Sequence, residues 1–587
     1  DFGRELYVPW RLAAGDVLYR DIAYFNGPLS PYFNALLFRL FGTSLLTLVI
    51  ANILVLAALL ILLYAIISEI ASRGTALLAC LTVLALFAFA QMEMTGNSNW
   101  ICPYAHEMTH GLTLAILSLY LLWVHACRQG RMWVVGSGMA LGLVFLTKCE
   151  LFLAGIAADG VLLWLIVPLK RRDGASATCV LARWTLAMLA PVLLAFGLLT
   201  TVMPARDALV GTLGSWIHLF NRELTSLIYY RVGMGTNDVA SNIWQMMIWA
   251  CSYALISVLV VGMALICRRG RWVRHIAVVV TTVIGVVVFA IYWEDIPWRQ
   301  MAKPWPLWML ILAVATACVL HRHRHQYNLR RQLALRLALT ILAVGLLGKM
   351  ILNVRLMHYG FALALPATLL LVAALWQWLP QAIARYGGHT AMVRGAVLTT
   401  WLVMVVAHLE ISDGYFKTKT FVVGAGPDRF LSDRRGERIT QAVAHIASKV
   451  QHGQKVTVLP EGVMLNYLAR IPSTRYIQFI PPEMKMFGEA RILEALRLEP
   501  PEWVVLVNRD DSEYGSQFFG KDYGQQLAQW ILLEYEKDLL IGPPVFVDRR
   551  LGVLIARRKQ VSETVLGNGV GDLFVRTTHW AVPARGS

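Results

Sequence analysis

Charge is scarce in this chain. Only 15% of its 587 residues are Asp, Glu, Lys or Arg, against 57% that are hydrophobic. That balance excludes an ordinary soluble protein, and the length suffices for a membrane domain plus one soluble domain. Acids are scarcer than bases, 36 against 53, which leaves a formal net charge of +17. The excess does not point to nucleic acid, because the arginines stand mostly in short loops between apolar runs, where a positive-inside bias puts them. Cysteine is sparse too. The eight cysteines are scattered without a C-x-x-C pair, and residues 319–587 hold none, which excludes a disulfide framework. Cys102 and Cys149 fall on one face, where they either pair or serve as apolar fillers; unpaired thiols are the expectation. No internal repeat of the kind that marks many secondary transporters is visible. The chain begins at Asp1 rather than Met, and a preceding transmembrane helix is expected to be missing from it.

What is present in abundance is the long apolar run. Crossing the hydrocarbon core takes about 20 apolar residues, and twelve segments meet that need, centred near Leu56, Leu84, Ser118, Met139, Gly160, Leu193, Leu255, Val283, Leu312, Ala343, Leu370 and Val403. Alternate loops are rich in arginine: Arg128 and Arg131; Lys170 to Arg172 and Arg183; Arg268 to Arg274; Arg322 to Arg336; Arg385 and Arg394. These face the cytoplasm by the positive-inside rule. The intervening loops hold acids, histidines and tryptophans and face outward, together with residues 1–43 and everything after the last span. The fold class expected is a polytopic α-helical membrane protein with about twelve spans. Its divisions are an opening extracytoplasmic loop with juxtamembrane helices (1–43), a transmembrane domain (44–411), an extracytoplasmic α/β domain (412–558) and a loose tail (559–587).

In the α/β part, helix and strand periods alternate. Helices are expected at Asp433 to Val450, after Pro460-Glu461, at Gly488 to Leu498 and at Tyr523 to Tyr535. Strands are expected at Lys455 to Leu459, at Trp503 to Val507, and as a final pair, Val545 to Val547 with Gly552 to Ala556. The glycine-rich aromatic run from Tyr514 to Gly524 has no nucleotide-binding fingerprint and reads as turn chemistry or as a loop that caps the membrane site.

Ionisable groups near membrane spans are costly and mark sites. Here they gather in the outward loops. The opening loop carries D-F-G-R-E at Asp1 to Glu5, G-D-V-L-Y-R-D at Gly15 to Asp21 and G-P-L-S-P-Y at Gly27 to Tyr32; taken alone, Asp1 and Glu5 are four apart and equally compatible with a solvated helix turn. His106 to His110 spell H-E-M-T-H, the H-E-x-x-H pattern of zinc proteases, which puts His106 and His110 one helical turn apart with Glu107 as base. No downstream motif supplies a third zinc ligand, and helix-end structure is the plain alternative. Lys148 and Glu150 in T-K-C-E read as an ion pair or as substrate contacts. The segment K-M-I-L-N-V-R-L-M-H-Y-G-F presents Lys349, Arg355 and His358 between two spans, as binding of a lipid phosphate would require or as snorkelling to headgroups would produce. Glu294 and Asp295 beside Trp293 and Trp298 read as an aromatic interface belt or a sugar-stacking rim.

A polar loop of this kind feeding a polytopic domain resembles the first extracytoplasmic loop of the C-type glycosyltransferases, the group that includes the protein O-mannosyltransferases and the bacterial aminoarabinose transferases. The resemblance implies a multispanning transferase of a bacterial inner membrane, with its active site and C-terminal domain periplasmic. It implies Asp1 as the catalytic loop acid, with Glu5 beside it, and a polyprenyl-phosphate sugar as donor. Lys349, Arg355 and His358 would hold the donor phosphate, and transfer to an acceptor hydroxyl would invert the anomeric carbon. The acceptor class is left open among lipid, glycan and protein, and a divalent metal is neither required nor excluded. One departure stands out: the aminoarabinose transferases carry a Glu-Lys pair before two prolines, where this chain has Phe25-Asn26. The rival classes are a zinc-dependent membrane metalloprotease using residues 106–110, with His106, Glu107 and His110 as metal and base residues, and a lipid or solute transporter.

Overall fold

The computed structural model describes residues 2–93, 96–166, 177–266 and 300–559, with positions 280, 283, 287 and 291 besides. Asp1, Glu294, Asp295, the arginines of 268–274 and the tail from 560 lie outside them. Two compact units are present, Asp1–Thr420 with Gly426–Asp428, and Phe421–Ala425 with Arg429–Ser587.

The first unit opens on two short helices, α1 (Phe2–Ala14) and α2 (Leu29–Phe41). Long apolar helices follow: α3 (Leu45–Ile70), α4 (Arg73–Val83, prolonged by a π-helical turn at Leu84–Ala88), α5 (His106–Arg128), α6 (Arg131–Phe145), α7 (Cys149–Ile166), α8 (Ala177–Thr200) and α9 (Val239–Ile266). Next come α10 (Trp305–Arg322), α11 (Tyr327–Leu347), α12 (Leu365–Ala373, within the longer helical stretch Gly360–Arg385) and α13 (Thr390–Lys417). Nine helical stretches among the described residues are long and apolar enough to cross a membrane, and Arg73–Ala88 and Arg131–Phe145 are shorter apolar helices. These account for every expected span but one. The twelfth, around Val283, falls where most residues lie outside the described ones.

Their surfaces require lipid. On α3, Leu54 is 65% and Ile61 70% exposed, with Ile50 and Ile53 also uncovered. Each such side chain left in water forgoes roughly 1.5–3 kcal/mol, and a row of them is tolerated only against hydrocarbon. The inner faces make the core: α5, α7, α11 and α12 bury Met108, Leu112, Leu119, Ala158, Leu162, Leu342, Leu346 and Leu369 in one cluster. α5 and α7 are therefore central, and their N-terminal ends are where the site residues stand.

The second unit has a two-stranded antiparallel ribbon, β1 (Phe421–Val423) with β2 (Phe430–Ser432), and a four-stranded sheet of order β3-β4-β6-β5. In it β3 (Val456–Leu459) runs parallel to β4 (Trp503–Val507), and β6 (Val553–Arg558) is antiparallel to both β4 and β5 (Tyr535–Ile541). Helices Arg435–Lys449, Met464–Ala469, Glu489–Leu498 and Gln525–Glu534 appear as expected within a few residues. The final strand pair is corrected: the partner of β6 is Tyr535–Ile541, not Val545 to Val547. Residues 545–547 are held instead by Asn508, whose amide donates to the carbonyls of Asp548 and Arg550 (both 2.6 Å) and whose oxygen accepts from Phe546 N (2.6 Å). Phe546 sits at φ 59°, which no strand residue adopts.

Candidate active site

The opening loop is bound to the membrane helices by its own turn. Gly27 N donates to Thr147 O (3.0 Å) and Leu29 N to Leu146 O (3.1 Å), so G-P-L lies against the α6–α7 connection. A Cβ at position 27 would stand 2.1 Å from Leu146 O, so only glycine permits this approach. The acids of G-D-V-L-Y-R-D serve the loop itself: Asp16 pairs with Arg11 (2.8 Å), and Asp21 accepts from Val17 N (2.8 Å) and pairs with Arg20.

α1 delivers Arg4 and Glu5 into the protein, where Glu5 is only 4% exposed. One Glu5 oxygen accepts from Arg4 Nη2 (3.0 Å), and the other accepts from His106 N (3.0 Å) and His106 Nδ1 (2.6 Å). A carboxylate from α1 thus caps the first N–H of α5, where the helix dipole favours negative charge. Burial would raise this carboxyl, but the Arg4 guanidinium and His106 outweigh it and hold Glu5 down at about 2. Burial opposes the Arg4 cation as well, yet Glu5, Tyr24 and Glu107 raise it above the usual arginine range. Arg4 further donates to Tyr104 O (3.1 Å) and faces the rings of Phe25 (5.4 Å) and Tyr24 (5.9 Å). Both carboxylate oxygens of Glu5 are thus engaged by protein donors.

The H-E-M-T-H residues are equally committed. His106 donates from Nδ1 to Glu5, and its Nε2 accepts from Asn52 Nδ2 (3.1 Å), which also donates to Ile101 O (2.9 Å). Glu107 accepts from the Tyr24 hydroxyl through one oxygen and leaves the other buried without a partner. His110 Nδ1 meets Ser30 Oγ at 3.0 Å. Among the described residues no group of three His, Cys, Asp or Glu side chains is placed to hold a metal ion. The donors do not fit a zinc-protease centre, because both ring nitrogens of His106 already have protein partners.

The second half of the site lies across the Tyr104 ring. His358 stacks on Tyr104 at 5.4 Å and 10°, and Lys148 Nζ is 6.0 Å from the same ring. Lys349 pairs with Glu150 (2.5 Å) and stands 4.2 Å over the Tyr359 ring. His358 occupies the left-handed region at φ 54°, a strained setting for a non-glycine residue, and its Nε2 meets Tyr229 Oη at 2.6 Å. Burial, then Arg355, Lys349 and Lys148, lower His358 to about 3, so it carries no charge near neutrality. In this setting the ring is a hydrogen-bonding group rather than a cation. Arg355 Nε, His358 Nδ1 and the Tyr104 hydroxyl are all buried without partners.

The structure therefore brings together Glu5, His106, Glu107, Lys148, Glu150, Lys349, Arg355 and His358, and adds Tyr24, Asn52, Tyr104 and Tyr229, which the motifs did not single out. Tyr104 had a visible signal, an aromatic ring two residues before H-E-M-T-H. Asp1 precedes the described residues directly, and Cys102 and Cys149 are free thiols.

Comparison with known proteins gives one family match and a set of distant structural likenesses. The chain is 15% identical to the crystal structure of ArnT from Cupriavidus metallidurans bound to undecaprenyl phosphate, with a TM-score of 0.40 over 94% of this chain and 93% of that one. It is 12% identical to the Archaeoglobus fulgidus oligosaccharyltransferase in complex with Zn and sulfate, with a TM-score of 0.45 over 90% of this chain and 65% of that one. For the arabinofuranosyltransferase AftD from Mycobacteria the figures are 13% and 0.39, over 95% and 38%. No curated protein matches the chain. Residues 26–196, which hold the Gly27 turn, the start of α5 and the Lys148–Glu150 turn, match the family described as dolichyl-phosphate-mannose-protein mannosyltransferase.

Proposed function

We propose that this protein is a polytopic membrane glycosyltransferase that moves a sugar from a polyprenyl-phosphate donor to an acceptor hydroxyl at the outer face of a bacterial inner membrane. The observation that carries the reading is the convergence of the opening loop, the start of α5 and the cationic segment 349–359 around Tyr104, within and beside the stretch that matches the mannosyltransferase family.

The chemistry follows from what such a transfer needs: a carboxylate near the acceptor hydroxyl and cations near the departing phosphate. Asp1 is the carboxylate that the resemblance of the opening loop implies for the first task, while both oxygens of Glu5 are engaged at the start of α5. Asp1 takes the acceptor proton as the hydroxyl attacks the anomeric carbon from the face opposite the phosphate. The C–O bond to the phosphate breaks, the sugar is inverted and polyprenyl phosphate is released. Arg355 supplies positive charge to that phosphate, and His358 Nδ1 and the Tyr104 hydroxyl are open for hydrogen bonds to it. The Arg4–Glu5–His106 array holds α1 on the start of α5.

The test is incubation of membranes containing the protein with labelled undecaprenyl-phosphate sugars and native acceptors, followed by the anomeric configuration of the product. Transfer with inversion is expected. Retention would remove the single-displacement mechanism, and no transfer from any donor would remove the reading.

A further inference from the structure

Around Tyr104 the charged groups sort into pairs with a remainder. Arg4 is matched by Glu5, and Lys349 by Glu150. Residues 296–409 contain no Asp or Glu at all, so Arg355 and Lys349 meet no acid from their own stretch of chain. Arg355, Lys148 and the acid Glu107 are left outside these pairs, and Lys148 is the lysine among them. It is 8% exposed, yet its Nζ donates no hydrogen bond and joins no ion pair among the described residues. Its surroundings are the face of Tyr104 and the charges of Glu150, Lys349, Glu107 and Arg4. Its stem is buried, while its Nζ is not among the enclosed atoms without partners, so the ammonium is open to an anion arriving from outside the protein.

Nearby, the buried atoms without partners are mostly donors. Arg355 Nε and the Tyr104 hydroxyl are such groups, and His358 Nδ1 carries the hydrogen if Nε2 accepts from Tyr229. A tetrahedral oxyanion presents several acceptor oxygens and so satisfies several donors at once. Lys349, by contrast, already has its acceptor in Glu150, and its ion pair with the residue two positions after Lys148 fixes the turn on which Lys148 stands.

We infer that Lys148, rather than Lys349, is the lysine that contacts the phosphate of the lipid-linked donor, and that the Lys349–Glu150 pair is a positioning device beneath it. This rests on the lipid-phosphate donor proposed above. Burial, only partly offset by Glu150, lowers the Lys148 ammonium below the usual lysine range. The sign follows: the charged form that holds phosphate is present at low and neutral pH and is lost as pH rises through the lowered value. Phosphate binding therefore weakens on the alkaline side earlier than an ordinary lysine would require, and Lys148→Arg removes that limb.

The experiment uses the full-length protein in lipid nanodiscs, titrated with undecaprenyl phosphate and, in parallel, with undecaprenol. Wild type is expected to prefer the phosphate. Lys148→Gln is expected to lose on the order of tenfold or more in affinity for the phosphate, with undecaprenol unchanged. Its unliganded unfolding midpoint should stay close to that of wild type, because Nζ has no protein hydrogen bond to lose. Lys148→Arg should keep most of the phosphate preference, and Lys148→Met is the second variant if the glutamine does not fold. Wild-type phosphate affinity in both neutral variants overturns the inference and leaves the donor reading standing. A wild type that does not distinguish phosphate from alcohol overturns both, and inorganic phosphate binding as tightly as the lipid overturns the lipid-linked assignment.

Discussion

Replacing Glu5 by glutamine separates a structural carboxylate from a catalytic one. The side chain is isosteric but cannot accept both from Arg4 and from the two His106 nitrogens, and it leaves the Arg4 cation buried beside Tyr24 and Phe25. Breaking a buried ion pair from one side costs about 3–5 kcal/mol. Arg4 and His106 outweigh burial and hold the Glu5 carboxyl below the usual carboxylate range, so the same contacts make stability depend on pH. The sign is that of a lowered carboxylate. The stabilisation is present above about 4.5 and is lost as pH falls toward 2. The assay is the unfolding midpoint of the purified full-length protein across pH 3 to 8. Wild type should lose its advantage over Glu5→Gln on acidification, with a gap of several degrees at pH 7. Arg4→Met combined with Glu5→Leu should recover part of the loss, because an apolar pair removes the orphaned charge. A Glu5→Gln protein that unfolds at the wild-type midpoint yet loses activity would refute this reasoning and return Glu5 to the reacting groups.

Other changes discriminate at single positions. Tyr24→Phe removes the donor to Glu107 and leaves both carboxyl oxygens of a fully buried side chain without the phenol; a loss of about 1–3 kcal/mol in unfolding free energy is expected, and an unchanged midpoint would contradict the contact. Gly27→Ala forces a Cβ to 2.1 Å from Leu146 O, whereas Gly160→Ala on α7 meets nothing within 4 Å. The first should unfold at lower temperature or fail to accumulate, and the second should behave as wild type. His358 is held to about 3, so undecaprenyl-phosphate affinity should show no step between pH 5 and 8 that His358→Gln abolishes. Such a step would establish a charged imidazole. In the second unit, Asn508→Ala releases three hydrogen bonds that hold residues 546–550 and should cost about 1–3 kcal/mol without altering donor binding.

The helical spans were legible because hydropathy acts over whole segments. The spans centred on Leu56 through Val403 come out as helices wherever the residues are described. Individual roles were less legible because a motif states residue types, not partners. The pattern shows Glu5 only as a second acid beside Asp1, whereas its oxygens are engaged by the adjacent Arg4 and by His106, about a hundred residues along the chain. H-E-M-T-H had the spacing for zinc, yet Asn52 and Glu5 claim His106, and neither could be read from the pattern. Tyr535–Ile541 escaped notice as a strand because Glu536, Lys537 and Asp538 interrupt its apolar alternation and follow a helix without a break. Val545 to Val547 looked like a strand because its apolar run follows Gly-Pro-Pro, a turn signal that proved to introduce a loop tied by a side chain.

The most direct measurement is sugar transfer from labelled undecaprenyl-phosphate donors by membranes holding wild type or Asp1→Asn. The account predicts transfer by wild type and its loss, on the order of a hundredfold or more, in the variant while the protein stays folded. Transfer that survives in Asp1→Asn would contradict the assignment of the base, and none in folded wild type with any donor would contradict the account itself.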